Sequence, residues 1–498
     1  MNYNSLEFKD ILNKYESAKE QGKVCYLDSD DFVDIAEYYL ANDDLNKMLE
    51  TVLDGLKLHD GDSYLLSLKV NSLISLHRFD EAEEVLQLLN VEEDHDVYYF
   101  KAQLACAQEG DDKAAFEYFR QWITIEQEEC ERMANKNEGK NRLKDAYFHI
   151  IVSFSDLSTN PLSNNSIREW VNEYLRICSP LDGDEIDIEV AKVCHDSDLF
   201  EEEINVYSQC LDNNPYMPQG WTYLASLQHV TGKTEDSVNS AENAIAVNPN
   251  DIQALMVKGH GYYDLQNYAK ALDAYLKYYE RTHDETFLMI IGRCYVMNKQ
   301  FEEGYNFLIK ARDYSTKKEK KNKELQANNR AFISDSLYIG GFYKEALSLI
   351  NVVLRTYPHE AEFLLQKGNI LTALGNTDKA VETYYDAIEC TESGKAAIMM
   401  LAGGELFSHG FYRAALFFLT MASKQTSDPL HYKSFAYLAQ ICYIMNLDDL
   451  FLQYSKLACE YTPDVLAKLW PADLKDVAPE HYYDIFNQMY EKKKKAKK

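Results

Sequence analysis

The sequence predicts an all-α solenoid of about twelve helix–turn–helix repeats, and three observations support this prediction. Small residues recur with a period of about 34 residues along most of the chain. The residues of this series are Ala191, Ala225, Gly259, Gly292, Ser334, Gly368, Gly403 and Ala439. Each period contains two apolar patterns of helical spacing, and a short turn rich in Gly, Asn or Asp separates them. Units that pack only against their neighbours build a solenoid.

The unit around Gly259 illustrates the pattern. Gly259 and Tyr262 share one face of a first helix, and the residues LQN at 265–267 predict a turn. Ala271 and Tyr275 then share one face of a second helix. Because Gly259 and Ala271 are small, we expect the two helices to approach closely, with the large residues filling the space beside them.

The order of residue types in the repeat provides a more specific signal. One unit has Trp, Leu, Ala, Ala and Pro at fixed places, namely Trp221, Leu224, Ala225, Ala244 and Pro249. This order resembles the tetratricopeptide repeat, a helix–turn–helix of about 34 residues. The resemblance implies a right-handed superhelix whose first helices line a concave, ligand-binding side. The abundance of Tyr, Asp, Lys and Asn is also similar in style to repeat proteins of Bacteroidota bacteria.

The regularity of the period predicts four segments. Residues 1–136 are expected to hold degenerate repeats behind a capping helix, and residues 137–183 an irregular helix pair where the period breaks. Residues 184–463 form the main array, with a lysine-rich insertion at 313–326. Residues 464–498 are expected to end the array with capping helices and a basic tail, because a solenoid needs polar outer faces at its ends.

The charge of the chain excludes some partners and favours others. There are 51 Lys and Arg against 81 Asp and Glu, a formal net charge of −30. Such a surface repels phosphate backbones, so we expect no nucleic-acid partner. No stretch approaches the roughly 18 apolar residues of a membrane span. The N-terminus has no secretion signal and the ten cysteines form no CxxC, so we expect a cytoplasmic protein.

No catalytic constellation is present in the sequence. Cys194, His195 and Asp196 combine nucleophile, base and orienting types, but adjacent residues of a helix point in different directions. The sequence has no metalloprotease, phosphate-loop or esterase motif, and its histidines are not paired at metal-ligand spacing. We therefore expect no enzyme, no cofactor and no metal.

What the sequence offers is a surface. Registering the chain on the repeat, as the resemblance implies, places a set of Met, aromatic and polar side chains on the concave face. The expected partner-binding residues are His229, Met256, His260, Tyr263, Met289, Arg293, Met297, Asp335, Tyr338, Asn369, Met400, Phe407 and Tyr443. Met adapts its shape and aromatics offer contact area, so this lining suits a peptide or protein segment. The alternative is that these side chains pack against neighbouring repeats.

Some members of this repeat family hold a C-terminal carboxylate with Lys and Asn residues of three successive first helices. The matching places in this chain are Thr222, Ser226, Val257, Thr286 and Ile290. None of these side chains is a Lys or Asn, so binding of chaperone tails is disfavoured.

These observations predict a non-enzymatic protein–protein interaction scaffold that binds a peptide or protein segment, basic or apolar, on its concave face. Two alternatives remain open, a self-assembling structural subunit and a regulatory sensor of a peptide or small ligand. The lysine runs at 317–323 and 491–498 are either docking sites for acidic partners or solvated segments. The oligomeric state does not follow from the sequence.

Overall fold

The computed structural model describes residues 5–89, 95–107, 112–157, 163–217, 219–318, 322–426 and 429–496. The regular structure of these described residues is helical throughout, with 27 α-helices, three short 3-10 helices and no strand. The all-α prediction is therefore confirmed. None of the described helices is both long and apolar enough to cross a membrane.

The chain divides into two compact units, Met1–Val257 and Lys258–Lys498. The first unit holds α1 (Leu6–Glu20), α2 (Ser29–Ala41), α3 (Leu45–Leu58), α4 (Ser63–Ser75), α5 (Phe79–Leu86), α6 (Asp96–Ala107), α7 (Asp112–Arg132), α8 (Lys136–Leu157), α9 (Ser163–Ile177), α10 (Glu185–Asp196), α11 (Phe200–Asn213), α12 (Gly220–Val230) and α13 (Thr234–Val247). The division falls within the next helix, α14 (Ile252–Asp264).

The second unit continues from α14. Its helices are α15 (Tyr268–Thr282), α16 (Leu288–Met297), α17 (Phe301–Lys318), α18 (Lys323–Ile339), α19 (Tyr343–Thr356), α20 (Ala361–Ala373), α21 (Thr377–Glu389), α22 (Lys395–Ser408), α23 (Tyr412–Ser423), α24 (Ser434–Ile444), α25 (Asp448–Tyr461), α26 (Pro463–Leu469) and α27 (Tyr482–Ala496). The lysine-rich insertion is partly helical, because α17 ends and α18 begins within it. Residues 319–321 of that insertion lie outside the described residues.

Helices α2 to α25 form twelve successive pairs, which confirms the predicted number of repeats. We call the even-numbered helix of each pair the first helix and the odd-numbered one the second helix. Within a unit, a second helix also packs against the next first helix, as α7 does on α8 and α19 on α20. Neighbouring first helices contact each other as well, as α6 does with α8 and α20 with α22. This stacking is that of an α-solenoid.

The turn between the two helices of a pair is closed by a residue of left-handed conformation. After α18, Gly341 has a φ of 85° and its N–H donates to the carbonyl of Tyr338 at 3.0 Å. The predicted turn at 265–267 has the same geometry, since Gln266 has a φ of 57° and donates to the carbonyl of Tyr263 at 2.9 Å. Such caps satisfy carbonyls of the last helical turn and reverse the chain.

The close approach within a pair depends on a small residue facing a large one. A Cβ built on Gly259 would lie 2.5 Å from Cε1 of Tyr275, and one built on Gly368 would lie 2.3 Å from Cε1 of Tyr384. Both tyrosine side chains are fully buried. The recurring small residue of the sequence is therefore the place where the aromatic ring of the second helix crosses the first helix.

The irregular region predicted at 137–183 contains α8 and α9. Its helices pack through different side chains from those of the regular repeats. Its largest buried side chains are Tyr147, Phe154, Trp170 and Tyr174, each fully buried in one core cluster. Here aromatic rings replace the small-on-large contact of the regular repeats. The four-segment division describes the regularity of the sequence, and its boundaries stay a prediction.

Candidate functional site

The residues predicted to bind a partner all lie on first helices, and all are half-buried. His229 and Met256 belong to the first unit. The members of the second unit, which we call the first-helix face, are His260, Tyr263, Met289, Arg293, Met297, Asp335, Tyr338, Asn369, Met400, Phe407 and Tyr443. Half-burial means that each side chain packs on one side and meets solvent on the other. That these residues bind a partner stays a prediction.

The repeat itself positions the polar members of this face. His260, Arg293, Asp335 and Asn369 each directly follow the small residue of their repeat. The small residue points at the second helix, and a step of one residue turns the side-chain direction by about 100°. The next side chain therefore points away from the second helix, towards the surface that the first helices form. This is why the position in the repeat was enough to predict that these residues lie on that surface.

An ion pair joins the first helices α16 and α18. Nη1 of Arg293 donates to Oδ2 of Asp335 at 2.6 Å and lies 3.4 Å from Oγ of Ser336. The guanidinium also lies over the ring of Phe332, 4.8 Å from its centroid. The Arg293 side chain is 19% exposed and that of Asp335 is 40% exposed, so the ion pair remains accessible to solvent although these contacts hold it in place.

A second polar contact spans a longer distance along the second unit. The hydroxyl of Tyr338 on α18 donates to Oε1 of Glu405 on α22, and Nδ1 of His409 lies 3.1 Å from the same oxygen. Burial and this hydrogen bond raise the pKa of Tyr338, so its hydroxyl remains a donor at neutral pH. Sequence analysis missed Glu405, because its contact with Tyr338 joins residues that are 67 positions apart.

Two tyrosines of second helices hold polar side chains of the first-helix face. The hydroxyl of Tyr275 lies 2.8 Å from Nδ1 of His260, and the hydroxyl of Tyr384 donates to Oδ1 of Asn369 at 2.9 Å. Burial raises the pKa of both tyrosines. Because each ring crosses its first helix at the small residue, the hydroxyl emerges beside the next side chain and fixes its orientation.

The apolar members of the face differ in how much they already pack. Met289 borders a cavity of about 250 Å³ between α16, α17 and α18. Tyr443 is covered by the end of the chain, since the ring of Trp470 lies 5.1 Å from its ring and Nζ of Lys493 lies 4.0 Å from its centroid. Tyr443 is therefore part of the C-terminal packing.

Two acidic clusters in the first unit have the spacing of a metal site, and a cation of the chain already occupies each. Asp182, Asp184 and Asp187 surround Nζ of Lys144, at distances of 3.0, 2.6 and 2.9 Å. The ammonium thus takes the place that a metal ion would need. Asp187 and the Lys144 side chain are buried, whereas Asp182 and Asp184 are exposed, so the ion network reaches from the core to the surface.

The second cluster consists of His95, Glu126 and Glu129. Nε of Arg142 donates to Glu126 at 2.8 Å and its Nη2 donates to Glu129 at 2.7 Å. Nε2 of His95 lies 2.8 Å from the other oxygen of Glu126. The guanidinium fills the space between the two carboxylates, so the charges of this cluster are also balanced by a side chain of the protein itself.

The segment Cys194–His195–Asp196 is not arranged as a relay. The thiol of Cys194 is buried, and burial together with nearby carboxylates raises its pKa to about 12, so it is not a nucleophile at neutral pH. Nδ1 of His195 instead lies 3.1 Å from Oε2 of Glu203. The geometry agrees with the interpretation made from the sequence.

A family model described as tetratricopeptide repeat matches residues 224–285 and 334–395. The chain therefore carries tetratricopeptide repeats in these two ranges. The matched ranges include the contacts of Gly259 with Tyr275 and of Gly368 with Tyr384, so the match and the packing rest on the same residues. Tetratricopeptide repeats are modules of protein or peptide interaction, and such scaffolds are generally not enzymes. A search of curated proteins finds no match.

Solved structures also resemble the chain, and some of them are described as tetratricopeptide proteins. A tetratricopeptide repeat protein from Parabacteroides merdae is 16% identical, with 48% of this chain and 91% of that chain covered and a TM-score of 0.39. YrrB, a tetratricopeptide protein with an unusual peptide-binding site, is 19% identical, with 39% and 95% covered and a TM-score of 0.32. Yeast Tom70 is 12% identical, with 84% and 96% covered and a TM-score of 0.31.

One position of α22 departs from the pattern of the other first helices. Gly404 directly follows Gly403, in the place where other helix pairs of this chain have His260, Arg293 or Asp335. A Cβ added at Gly404 would meet nothing within 4 Å, so packing does not require glycine there. The sequence shows two adjacent glycines. Only the structure distinguishes Gly403, which packs against Leu419, from Gly404, where an added Cβ would meet no neighbouring atom.

Proposed function

We propose that the second unit binds a segment of another protein along its first-helix face, and that the protein acts as a non-enzymatic scaffold. The observation that supports this proposal is the row of half-buried Met and aromatic side chains beside polar groups of fixed orientation. Aromatic residues are enriched among the few side chains that supply most of the energy of a protein interface, and Met adapts its shape to a partner. Fixed polar groups lose little conformational entropy on binding, which increases affinity.

Charge supports a basic or apolar partner. The chain has a formal net charge of −30, and Asp335 on the face is still 40% exposed after pairing with Arg293. An acidic surface accelerates encounter with basic segments and repels acidic ones. Association should therefore slow as ionic strength rises, because salt screens exposed charges beyond about 10 Å at 0.1 M.

We also keep the cytoplasmic location as a proposal. All ten cysteines are free thiols, and most of them are buried in the helical core. Free thiols in this number are usual in reducing compartments. Fractionation of cells that express the full chain, followed by immunoblotting, tests this location. Recovery outside the cytoplasm would contradict it.

The binding proposal is tested with peptides selected from a random peptide display library against the full chain. The test variant replaces Tyr263 and Met297 by Ala, because both are half-buried on the face. Loss of a central interface side chain costs about 2 kcal/mol, so we expect the Kd of a selected peptide to rise at least about 30-fold. Isothermal titration calorimetry measures this change.

A matched control removes apolar side chains from second helices of the same unit. Phe301 on α17 is 43% exposed and Leu450 on α25 is 40% exposed, and we expect their replacement by Ala to leave the affinity unchanged. If the control and the test variants lose the same affinity, or if neither loses any, the peptide binds elsewhere. Failure of the library to yield any binding peptide would also count against the proposal.

A further inference from the structure

A polar cavity of about 320 Å³ lies between the first helices α4, α6 and α8 of the first unit. It borders Tyr99 and Gln103 on α6, and His149, Ser153 and Asp156 on α8. Among the described residues that line it there is no Lys and no Arg. Its volume lies in the range of small-ligand sites, which begins at about 300 Å³.

Gln103 is the distinctive residue of this cavity. It is 9% exposed, and its Nε2 donates to the hydroxyl of Tyr99 at 2.9 Å and faces Oγ of Ser153 at 3.4 Å. Its Oε1 is buried and has no hydrogen-bond partner among the described residues. Buried amide oxygens almost always accept a hydrogen bond. Gln103 lines the cavity, and because χ3 of glutamine is a broad torsion, its amide can rotate to present this oxygen to a ligand there.

The remaining groups favour a cation over an anion. Asp156 is exposed at the edge of the cavity and supplies a carboxylate. Burial disfavours the charged form of His149 and lowers its pKa, so its ring is neutral at pH 7 and adds no positive charge. The ring of Tyr99 borders the cavity, where it lies 6.5 Å from the ring of His149, and aromatic rings attract cations. The formal net charge of −30 adds a favourable field for a cation.

We propose that this cavity binds a primary ammonium group carried on a short apolar stem. Such a group has three donors and no acceptor. One N–H would bond to Oε1 of Gln103, the charge would pair with Asp156, and the stem would lie beside the ring of Tyr99. The ammonium belongs either to a lysine side chain of a partner or to a free small amine. The site lies in the first unit, so it does not depend on peptide binding by the second.

The test uses the full chain and two probes that differ only in the ammonium group. N-acetyl-lysine methylamide has the group, and N-acetyl-norleucine methylamide has the same stem without it. We expect saturable binding of the lysine probe in calorimetry and at least a tenfold weaker response to the norleucine probe. Equal binding of the two probes, or no saturable binding of the lysine probe at millimolar concentration, would overturn the proposal.

Variants locate the binding. Gln103→Met removes the oxygen and keeps the length of the side chain, and Asp156→Asn removes the charge at an exposed position. Each should weaken the lysine probe at least tenfold. Gln209→Met is the matched control, because Oε1 of Gln209 on α11 is also buried without a partner but does not border the cavity. Unchanged binding in both Gln103→Met and Asp156→Asn would place the probe elsewhere and overturn the proposal.

Two further measurements complete the test. Thermal unfolding followed by circular dichroism shows whether Gln103→Met remains folded, and Asp156→Asn serves as the second variant if it does not. Butylamine distinguishes the two sources of the ammonium. Butylamine that binds as tightly as the lysine probe indicates a free amine, whereas much tighter binding of the lysine probe indicates a protein side chain. Both results support an ammonium site.

Discussion

The two compact units use different contacts to solve the same packing problem. In the second unit, a small residue such as Gly368 lets a large ring such as Tyr384 cross between the helices of a pair. In the irregular part of the first unit, bulky side chains such as Trp170 and Tyr147 meet directly and are fully buried. The difference teaches that a helical repeat persists in space after its sequence signature has disappeared.

Buried charge accompanies this change of packing. Lys144 on α8 is 5% exposed at its side chain, and it contacts Asp182, Asp184 and Asp187. Asp187 is fully buried and also accepts hydrogen bonds from the hydroxyl of Tyr174 and, at 2.8 Å, from the N–H of Gly183. Burial opposes the charge of Lys144, but its carboxylate partners raise its pKa, so it remains charged. This network connects α8, α9 and α10.

Removing the charge of Lys144 should have the largest effect on stability. Lys144→Met leaves the carboxylate of Asp187 buried without its cation, and breaking a buried ion pair in this way costs about 3–5 kcal/mol. Urea unfolding followed by circular dichroism measures the loss. A variant with the stability of the wild type would show that water reaches Asp187 and that the network does not hold the irregular region.

A second substitution separates lost charge from lost packing. Asp187→Asn in the Lys144→Met background removes the unpaired charge and keeps the shape of the side chain. We expect the double variant to recover part of the stability, because neutral groups are less costly to bury than unpaired ions. If the loss of stability in the double variant equals the sum of the losses in Lys144→Met and in Asp187→Asn alone, the packing of the Lys144 stem, and not its charge, determines the effect.

The second unit should respond most strongly at its small residues. A Cβ at Gly403 would lie 2.6 Å from Cγ of Leu419 and 3.3 Å from its backbone N, so α22 and α23 must separate to accept it. Overpacking of this kind costs about 1–3 kcal/mol, and we expect Gly403→Ala to lose stability in that range. Thermal unfolding checks this result. A gain in stability would mean that the helix pair is not closely packed at this contact.

Much of the second unit could be predicted from the sequence because its helix pairs pack where a small residue recurs at a regular spacing. The period of Gly259, Gly292, Gly368 and Gly403 determined the helix pairs, and register then placed the half-buried side chains that follow them. Local turn chemistry, as at Gln266, agreed with the same register. Each of these signals depends only on residues close in sequence.

The remaining features depend on residues that are far apart in the sequence or on the absence of a contact. Tyr338 and Glu405 are separated by 67 positions, and nothing local indicates that they meet. The ion network of Lys144 likewise joins residues about 40 positions apart, at Asp182 and beyond. The unpaired oxygen of Gln103 is a property of three helices together. Only a structure places such groups.

The smallest expected effect on stability concerns Gly404, the direct neighbour of Gly403. A Cβ at Gly404 meets nothing within 4 Å, and glycine inside a helix is less stable than Ala by about 0.5–1 kcal/mol. Gly404→Ala should therefore raise stability slightly in thermal unfolding, opposite in sign to Gly403→Ala. The two substitutions thus compare a glycine that is required for close helix packing with an adjacent glycine that is not.

A residue that weakens its own helix without a packing reason points to a function at that position. Glycine permits close approach of another backbone, so we expect Gly404→Ala to weaken the selected peptide although the protein becomes more stable. Calorimetry with the Gly404→Ala and wild-type chains measures this change. Higher stability with unchanged affinity would mean that the bound segment does not pass over α22, and would confine the binding face to the helices before it. Lower affinity would show that the bound segment passes over α22, because loss of binding in a more stable protein cannot result from unfolding.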